Sequence, residues 1–241
     1  MRNLMKILIL ITTLLSAISH ASQSIYSAAN NITFTNTKEN KSFVGNGFLI
    51  SHKDKIYAVT AKHVLIETQK SGIKTIDIKG YFDNWSLKPF NSDSEEVILG
   101  VLLNTDGSEK LDMAVLQDDW LIFEVKENNS QLQVLKLSNQ LLKADQSVNA
   151  YGCTYGNQKY CQQNEYSGKY VKSLDNNLLI ELDMEKDKLN TLRGLSGAPV
   201  LNSRKEVVGI VSNIIPDIET DKLYFAPFTI QPVVKYLNNI N

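Results

Sequence analysis

Short runs of apolar and β-branched residues recur along the chain between polar turns, and this pattern limits what the sequence can fold into. Phe43–Ile50, Ile56–Ala61, Val97–Leu103, Met113–Leu116, Val148–Tyr151, Leu178–Leu182, Val207–Val211 and Leu223–Phe225 have the length and residue types of strands. Connections such as Asn91-Ser-Asp-Ser and Asn104-Thr-Asp-Gly supply turn residues between them. Many short strands with few helical stripes predict a mainly β fold of antiparallel barrels or sandwiches. One late stretch has a different period. Ile230, Val233, Val234 and Leu237 follow an amphipathic helix, Thr229 is placed to cap it and Pro232 sits in its first turn. A C-terminal helix packed on the second half of the fold is expected.

The first 21 residues read as a targeting segment. Arg2 and Lys6 give a positive start, Ile7 to Ile18 is mostly apolar, and Ser19-His20-Ala21 puts small residues where a signal peptidase reads them. An apolar run of about 12 residues is shorter than the roughly 20 needed to span a bilayer, so cleavage after Ala21 is expected, with an uncleaved anchor as the alternative. The 241-residue chain carries 25 Lys+Arg and 26 Asp+Glu; losing Arg2 and Lys6 leaves 23 basic residues against 26 acidic, a net charge of −3. So little excess charge argues against nucleic acid or an anionic membrane as the main partner. The processed protein is expected to be secreted or periplasmic and off the membrane. Two cysteines are too few for a disulfide-built mini-protein or a zinc cage. In an oxidising compartment Cys153 and Cys161 read as one local disulfide, with two buried thiols as the alternative.

Two histidines remain after processing. His52, in the charged turn Ser51-His-Lys-Asp54, reads as a solvent-facing hairpin residue. His63 closes the β-rich run Ile56-Tyr-Ala-Val-Thr-Ala-Lys-His63, where a strand gives way to a turn. An imidazole there can accept a proton and return it. The best partner nucleophile is Ser196 in Arg193-Gly-Leu-Ser-Gly-Ala-Pro199, whose glycines allow a tight turn that presents the amides of Gly194 and Ser196 as an oxyanion site. Asp112, heading the apolar run Met113–Leu116, is the acid expected to pair with His63, because a carboxylate in that setting needs a partner.

These residues occur in the order His63, Asp112, Ser196, 49 and 84 residues apart. At this point the chain resembles the chymotrypsin-like (trypsin-fold) serine proteases, whose triad has the same order. Thr60-Ala-Lys-His63 is similar to their Thr-Ala-Ala-His, Asp112-Met-Ala-Val-Leu116 to Asp-Ile-Ala-Leu-Leu, and Gly194-Leu-Ser-Gly-Ala-Pro199 to Gly-Asp-Ser-Gly-Gly-Pro. Gly45-Asn-Gly-Phe-Leu-Ile50 resembles the Gly-Ser-Gly-Phe-Ile-Ile strand of bacterial members, and Tyr224-Phe-Ala-Pro-Phe-Thr229 resembles a stretch of bacterial glutamyl endopeptidases and periplasmic heat-shock proteases. The resemblance implies two six-stranded antiparallel barrels, residues 22–130 carrying His63 and Asp112 and residues 131–241 carrying Ser196, divided in the polar stretch Lys126–Gln131. It implies a monomeric endopeptidase acting on protein or peptide substrates without metal or organic cofactor.

Departures from the family pattern set further expectations. Leu195 stands where the trypsin branch keeps an Asp that pairs with a newly cleaved amino terminus, and Ser22-Gln-Ser-Ile25 does not resemble the matching Ile-Val-Gly-Gly, so signal removal alone is expected to give a competent enzyme. Asn190 takes the place of the aspartate at the base of trypsin-like pockets, and Val211 that of the pocket histidine of glutamyl endopeptidases. Ile214 replaces an open glycine and would shorten the pocket, so small or medium apolar side chains are expected before the cut. Ser212 is placed to hydrogen-bond Asp112 or to end a strand, and Arg193 to line the cleft or to lie solvated. With the sequence closing just after the helix, no appended peptide-binding domain is expected. A protease-fold binding protein without turnover is the rival function.

Overall fold

The computed structural model describes residues 24–91, 95–218 and 222–240; the expected signal segment, 1–21, lies outside them. Among the described residues thirteen strands follow one another. They are β1 (Ala28–Thr33), β2 (Asn46–His52), β3 (Lys55–Thr60), β4 (Asn84–Lys88), β5 (Val97–Leu102), β6 (Leu121–Asn128), β7 (Val134–Leu137), β8 (Ser147–Gly152), β9 (Asn164–Leu174), β10 (Asn177–Leu182), β11 (Pro199–Asn202), β12 (Glu206–Asp217) and β13 (Lys222–Thr229). Tight turns join consecutive antiparallel pairs: β2 runs into β3 with Ile50 opposite Tyr57 and Lys53 at φ 49° in the turn.

Pairing in the order β1-β4-β5-β6-β3-β2 closes on itself through β1–β2, which makes one six-stranded antiparallel barrel. The order β12-β11-β8-β9-β10-β13 closes through β12–β13, which makes the second. Closure removes the open edges that would otherwise invite pairing with other chains. β7 lies parallel to both β2 and β12 and joins the two barrels into one sheet. Residues such as Phe48, Ile50, Val59 and Phe123 fill the first barrel, and Val148, Ile180, Val200 and Phe225 the second.

Several sequence expectations need correction. Met113–Leu116 is not a strand: Met113–Asp118 forms a 3-10 segment, started by the Asp112 carboxylate, which accepts the Ala114 N–H at 2.8 Å. The strand in this region is β6, and Lys126–Asn128, expected as linker, form its end. His52 is only partly exposed, and its Nε2 is buried. Thr229 ends β13, and helix α1 begins at Gln231 and runs to Ile240. This helix leaves the second barrel and also reaches the first. Val233 and Leu237, one turn apart, join a core cluster to which both barrels contribute, while Tyr236 packs edge-on against Trp120 and its hydroxyl donates to the Leu103 carbonyl at 2.6 Å. An i, i+4 apolar pair faces one side of a helix, and here that side is buried in the shared core.

Cys153 and Cys161 form a disulfide. It is buried beside Phe90 and Ala29, and Asn91 Nδ2 donates to the Cys161 carbonyl at 2.7 Å. The cysteines are eight positions apart. Cross-linking so short a loop stabilises the fold by about 2.5 kcal/mol through the unfolded chain. The Cys153→Ser/Cys161→Ser double variant is therefore expected to unfold at lower denaturant with ΔG reduced by about 2 to 3 kcal/mol; an unchanged midpoint would contradict this.

Candidate active site

β3 delivers His63. The strand ends at Thr60, Ala61 follows in extended conformation, and a 3-10 segment Lys62–Ser71 begins, so the imidazole projects from the barrel rim. β3 and β6 are antiparallel with Thr60 opposite Leu121. That register carries the residues just before β6 alongside those just after β3, and Asp119 comes to lie against His63.

The contact is well defined. His63 Nδ1 lies 2.7 Å from Asp119 Oδ2, the His63 backbone N–H donates to Asp119 Oδ1 at 2.8 Å, and the Ser212 hydroxyl donates to Oδ2 at 2.5 Å. Asp119 is 0% exposed. Three hydrogen bonds compensate for removing that carboxylate from water. A carboxylate can only accept, so Nδ1 carries a hydrogen and Nε2 is left to act as base. The expected partner, Asp112, is exposed and spends its carboxylate on Ala114; the acid paired with His63 is Asp119. Lys62 secures the same region. Its buried ammonium meets Glu109 at 2.8 Å and Asp118 at 3.8 Å, which ties the segment before Asp119 to the residue beside the histidine.

Burial works against charging His63, but Asp119, through its charge and its hydrogen bond, and Glu67 outweigh it, and the imidazole pKa stands above the ordinary histidine value.

Ser196 comes from the second barrel, between the 3-10 segment Lys186–Leu192 and β11. Gly194 and Gly197 have φ of +94° and +80°, so the loop reverses sharply at both ends of the serine. A Cβ on Gly197 would collide with the Asn46 carbonyl and Thr60 Oγ1, which shows how tightly the loop is pressed against the strands of the first barrel. The Arg193 carbonyl accepts the Tyr155 N–H at 2.9 Å. In a planar trans peptide the N–H of the next residue points the opposite way, so the Gly194 N–H is directed away from Tyr155. Neither the Gly194 nor the Ser196 N–H takes an acceptor among the described residues. Ser196 Oγ is likewise free of hydrogen bonds among them and lines a cavity of about 180 Å³.

Asn190, Ser212 and Ile214 line the same cavity, with Leu189, Val211 and Phe225 as apolar wall and the exposed Arg193 at the rim. Ser212 thus touches both the Asp119 carboxylate and the space in front of Ser196. Asn190, Ser196, Ser212 and Ile214 share one cavity of the second barrel, and Ser212 links it to His63 of the first through the Asp119 carboxylate.

A signal for Asp119 was present in the sequence. Asp118-Asp-Trp precedes the apolar run Leu121-Ile-Phe123, and reading that run as a strand beside β3 would have put an acid next to His63.

Comparison with known proteins gives two findings. A family model described as a trypsin-like peptidase domain matches residues 45–210. A solved Glu endopeptidase, in complex with MPD, is similar to this chain in structure, with a TM-score of 0.58 and 14% sequence identity over 91% of each chain. Among curated proteins, no sequence matches it.

Proposed function

The chain belongs to the trypsin-like peptidase domain family, and from that premise we propose that it is an exported serine endopeptidase working through Ser196, His63 and Asp119. The observation that carries this reading is the buried Asp119 carboxylate, held by His63 and by Ser212, which lines the same cavity as Ser196.

In the proposed reaction Ser196 Oγ attacks the scissile carbonyl while its proton passes to His63 Nε2. Asp119 holds the ring in the required tautomer and stabilises its charged form. The amides of Gly194 and Ser196 take the negative charge that develops on the carbonyl oxygen. His63 then protonates the leaving amine, and water hydrolyses the acyl-enzyme by the same steps in reverse order. The mostly apolar wall and the modest cavity favour a small or medium apolar side chain before the cut. Cleavage after Ala21, release into the periplasm or medium, and action as a monomer on protein or peptide substrates complete the proposal. The disulfide fits that oxidising destination.

The test is labelling of the processed protein with a fluorophosphonate: wild type is expected to be labelled and Ser196→Ala is not. Folded wild type that stays unlabelled would favour a binding protein on this fold. A pH profile gives a second check. The base must be neutral, so the acid limb of kcat/KM is expected above the usual histidine pKa of about 6.5. Removing the Asp119 charge leaves burial as the main influence, and in Asp119→Asn the His63 pKa, followed by NMR titration of the imidazole, is expected to fall.

A further inference from the structure

We propose that Asn46 is a positioning residue that fixes the nucleophile loop of the second barrel in register with the histidine of the first. The inference rests on the peptidase reading above. Asn46 opens β2, in the first barrel, and is 0% exposed. It stands where the resembling bacterial strand has serine, and it reaches further with a group that both donates and accepts.

Every polar group of Asn46 is used, and most of the bonds cross between the barrels. Its Nδ2 donates to the Gly194 carbonyl at 2.7 Å and to the Cys153 carbonyl at 3.0 Å, and its Oδ1 accepts the Cys153 N–H at 3.0 Å. Its backbone N–H donates to the Ser196 carbonyl at 2.6 Å. Its own carbonyl accepts from Thr60 Oγ1 at 2.7 Å and from Asn30 Nδ2 at 2.8 Å, and Thr60 lies three residues before His63. One residue therefore grips the peptide after Gly194, the peptide after Ser196 and the strand end that carries the base.

The consequence for chemistry follows from planar peptides. The peptide before Gly194 is oriented by the bond from Tyr155 to the Arg193 carbonyl, and the peptide after it by Asn46. With both planes set, so is the direction of the Gly194 N–H. The Ser196 N–H lies between the two peptides that Asn46 holds. Both proposed oxyanion donors are thus aimed by a side chain that touches no substrate, and preorganised aim is what makes such donors effective. Asn46 also sets how far Ser196 stands from His63, because the two come from different barrels.

The test compares wild type with Asn46→Asp, which keeps the shape but cannot donate to the two carbonyls, and Asn46→Ser, which keeps the backbone bonds and puts no charge in the buried site. kcat on a peptide ester is expected to fall by about 100-fold with KM changed less than about twofold, as for other small displacements of catalytic groups. Amide hydrogen exchange is expected to rise within residues 193–198 and at Cys153–Tyr155, with the strands of both barrels protected as in wild type. Unchanged kcat with unchanged loop exchange would overturn the proposal, and so would a uniform loss of protection, which would make Asn46 a general stabiliser. If the wild type proves inert toward fluorophosphonate and ester, the peptidase reading fails, and the exchange pattern alone decides whether Asn46 holds the loop.

Discussion

Asp119→Asn is expected to lower kcat by about 10⁴-fold while Asp112→Asn leaves it within about twofold of wild type. An amide at 119 can keep nearly the same shape. It would present its Nδ2 to His63, however, so Nδ1 would have to accept and Nε2 would carry the proton. A ring in that tautomer cannot take the proton of Ser196, however well it is placed. The same change removes the negative charge that favours the imidazolium formed during attack. Asp112 has no such connection. Its carboxylate caps a 3-10 segment at the surface, and the amide oxygen of Asn can accept the Ala114 N–H in its place. Steady-state kinetics on a peptide substrate, with circular dichroism to show that both variants fold, checks the pair. A large fall in Asp112→Asn with little change in Asp119→Asn would reverse the assignment.

The reason the acid was misplaced shows what sequence patterns carry and what they do not. Local patterns were informative wherever function depends on neighbours in the chain. The glycines around Ser196 and the strand running into His63 are local, and both lie as the sequence suggested. The pairing of two cysteines eight positions apart is nearly local, and it formed. The acid differs because its place is set by the register of β3 against β6, two strands whose facing residues are about 60 positions apart. Asp-Met-Ala-Val-Leu reads as strand by composition, yet the short Asp side chain can bond the amide two residues on and start a helical turn instead. That competition delays the strand until Leu121 and shifts the paired acid by seven residues. The C-terminal helix follows the same logic. Its period was visible, while its reach to the first barrel was not, because Trp120 and Leu103, which receive Tyr236, are remote in sequence. Asn46 lay within a recognised motif, but its role depends on Cys153 and Gly194 approaching from the other barrel.

Ser196→Ala is expected to give the largest loss, about 10⁶-fold in kcat, with substrate affinity and thermal stability nearly unchanged. The size follows from what the hydroxyl does in the proposed reaction: without Oγ there is no acyl-enzyme, and neither His63 nor Asp119 can supply an alternative route. Activity left over would come from the amides of Gly194 and Ser196 and from the cavity wall, which still bind and polarise a carbonyl. Stability should hardly move. Ser196 Oγ forms no hydrogen bond among the described residues, and the loop is held through its backbone: the Ser196 carbonyl by Asn46 and the Gly197 N–H by the Val211 carbonyl at 2.8 Å. Binding of an uncleaved substrate by calorimetry, turnover by release of the new amine and melting by calorimetry test the three parts separately. This combination separates an enzyme from a protease-fold binding protein. If wild type and Ser196→Ala bind and turn over alike, then the Asp119–His63 pair serves to fasten the barrels together and not to activate a nucleophile. If only turnover is lost, the same hydrogen bonds are among the means by which two barrels, joined also through β7 and Asn46, operate as one catalyst.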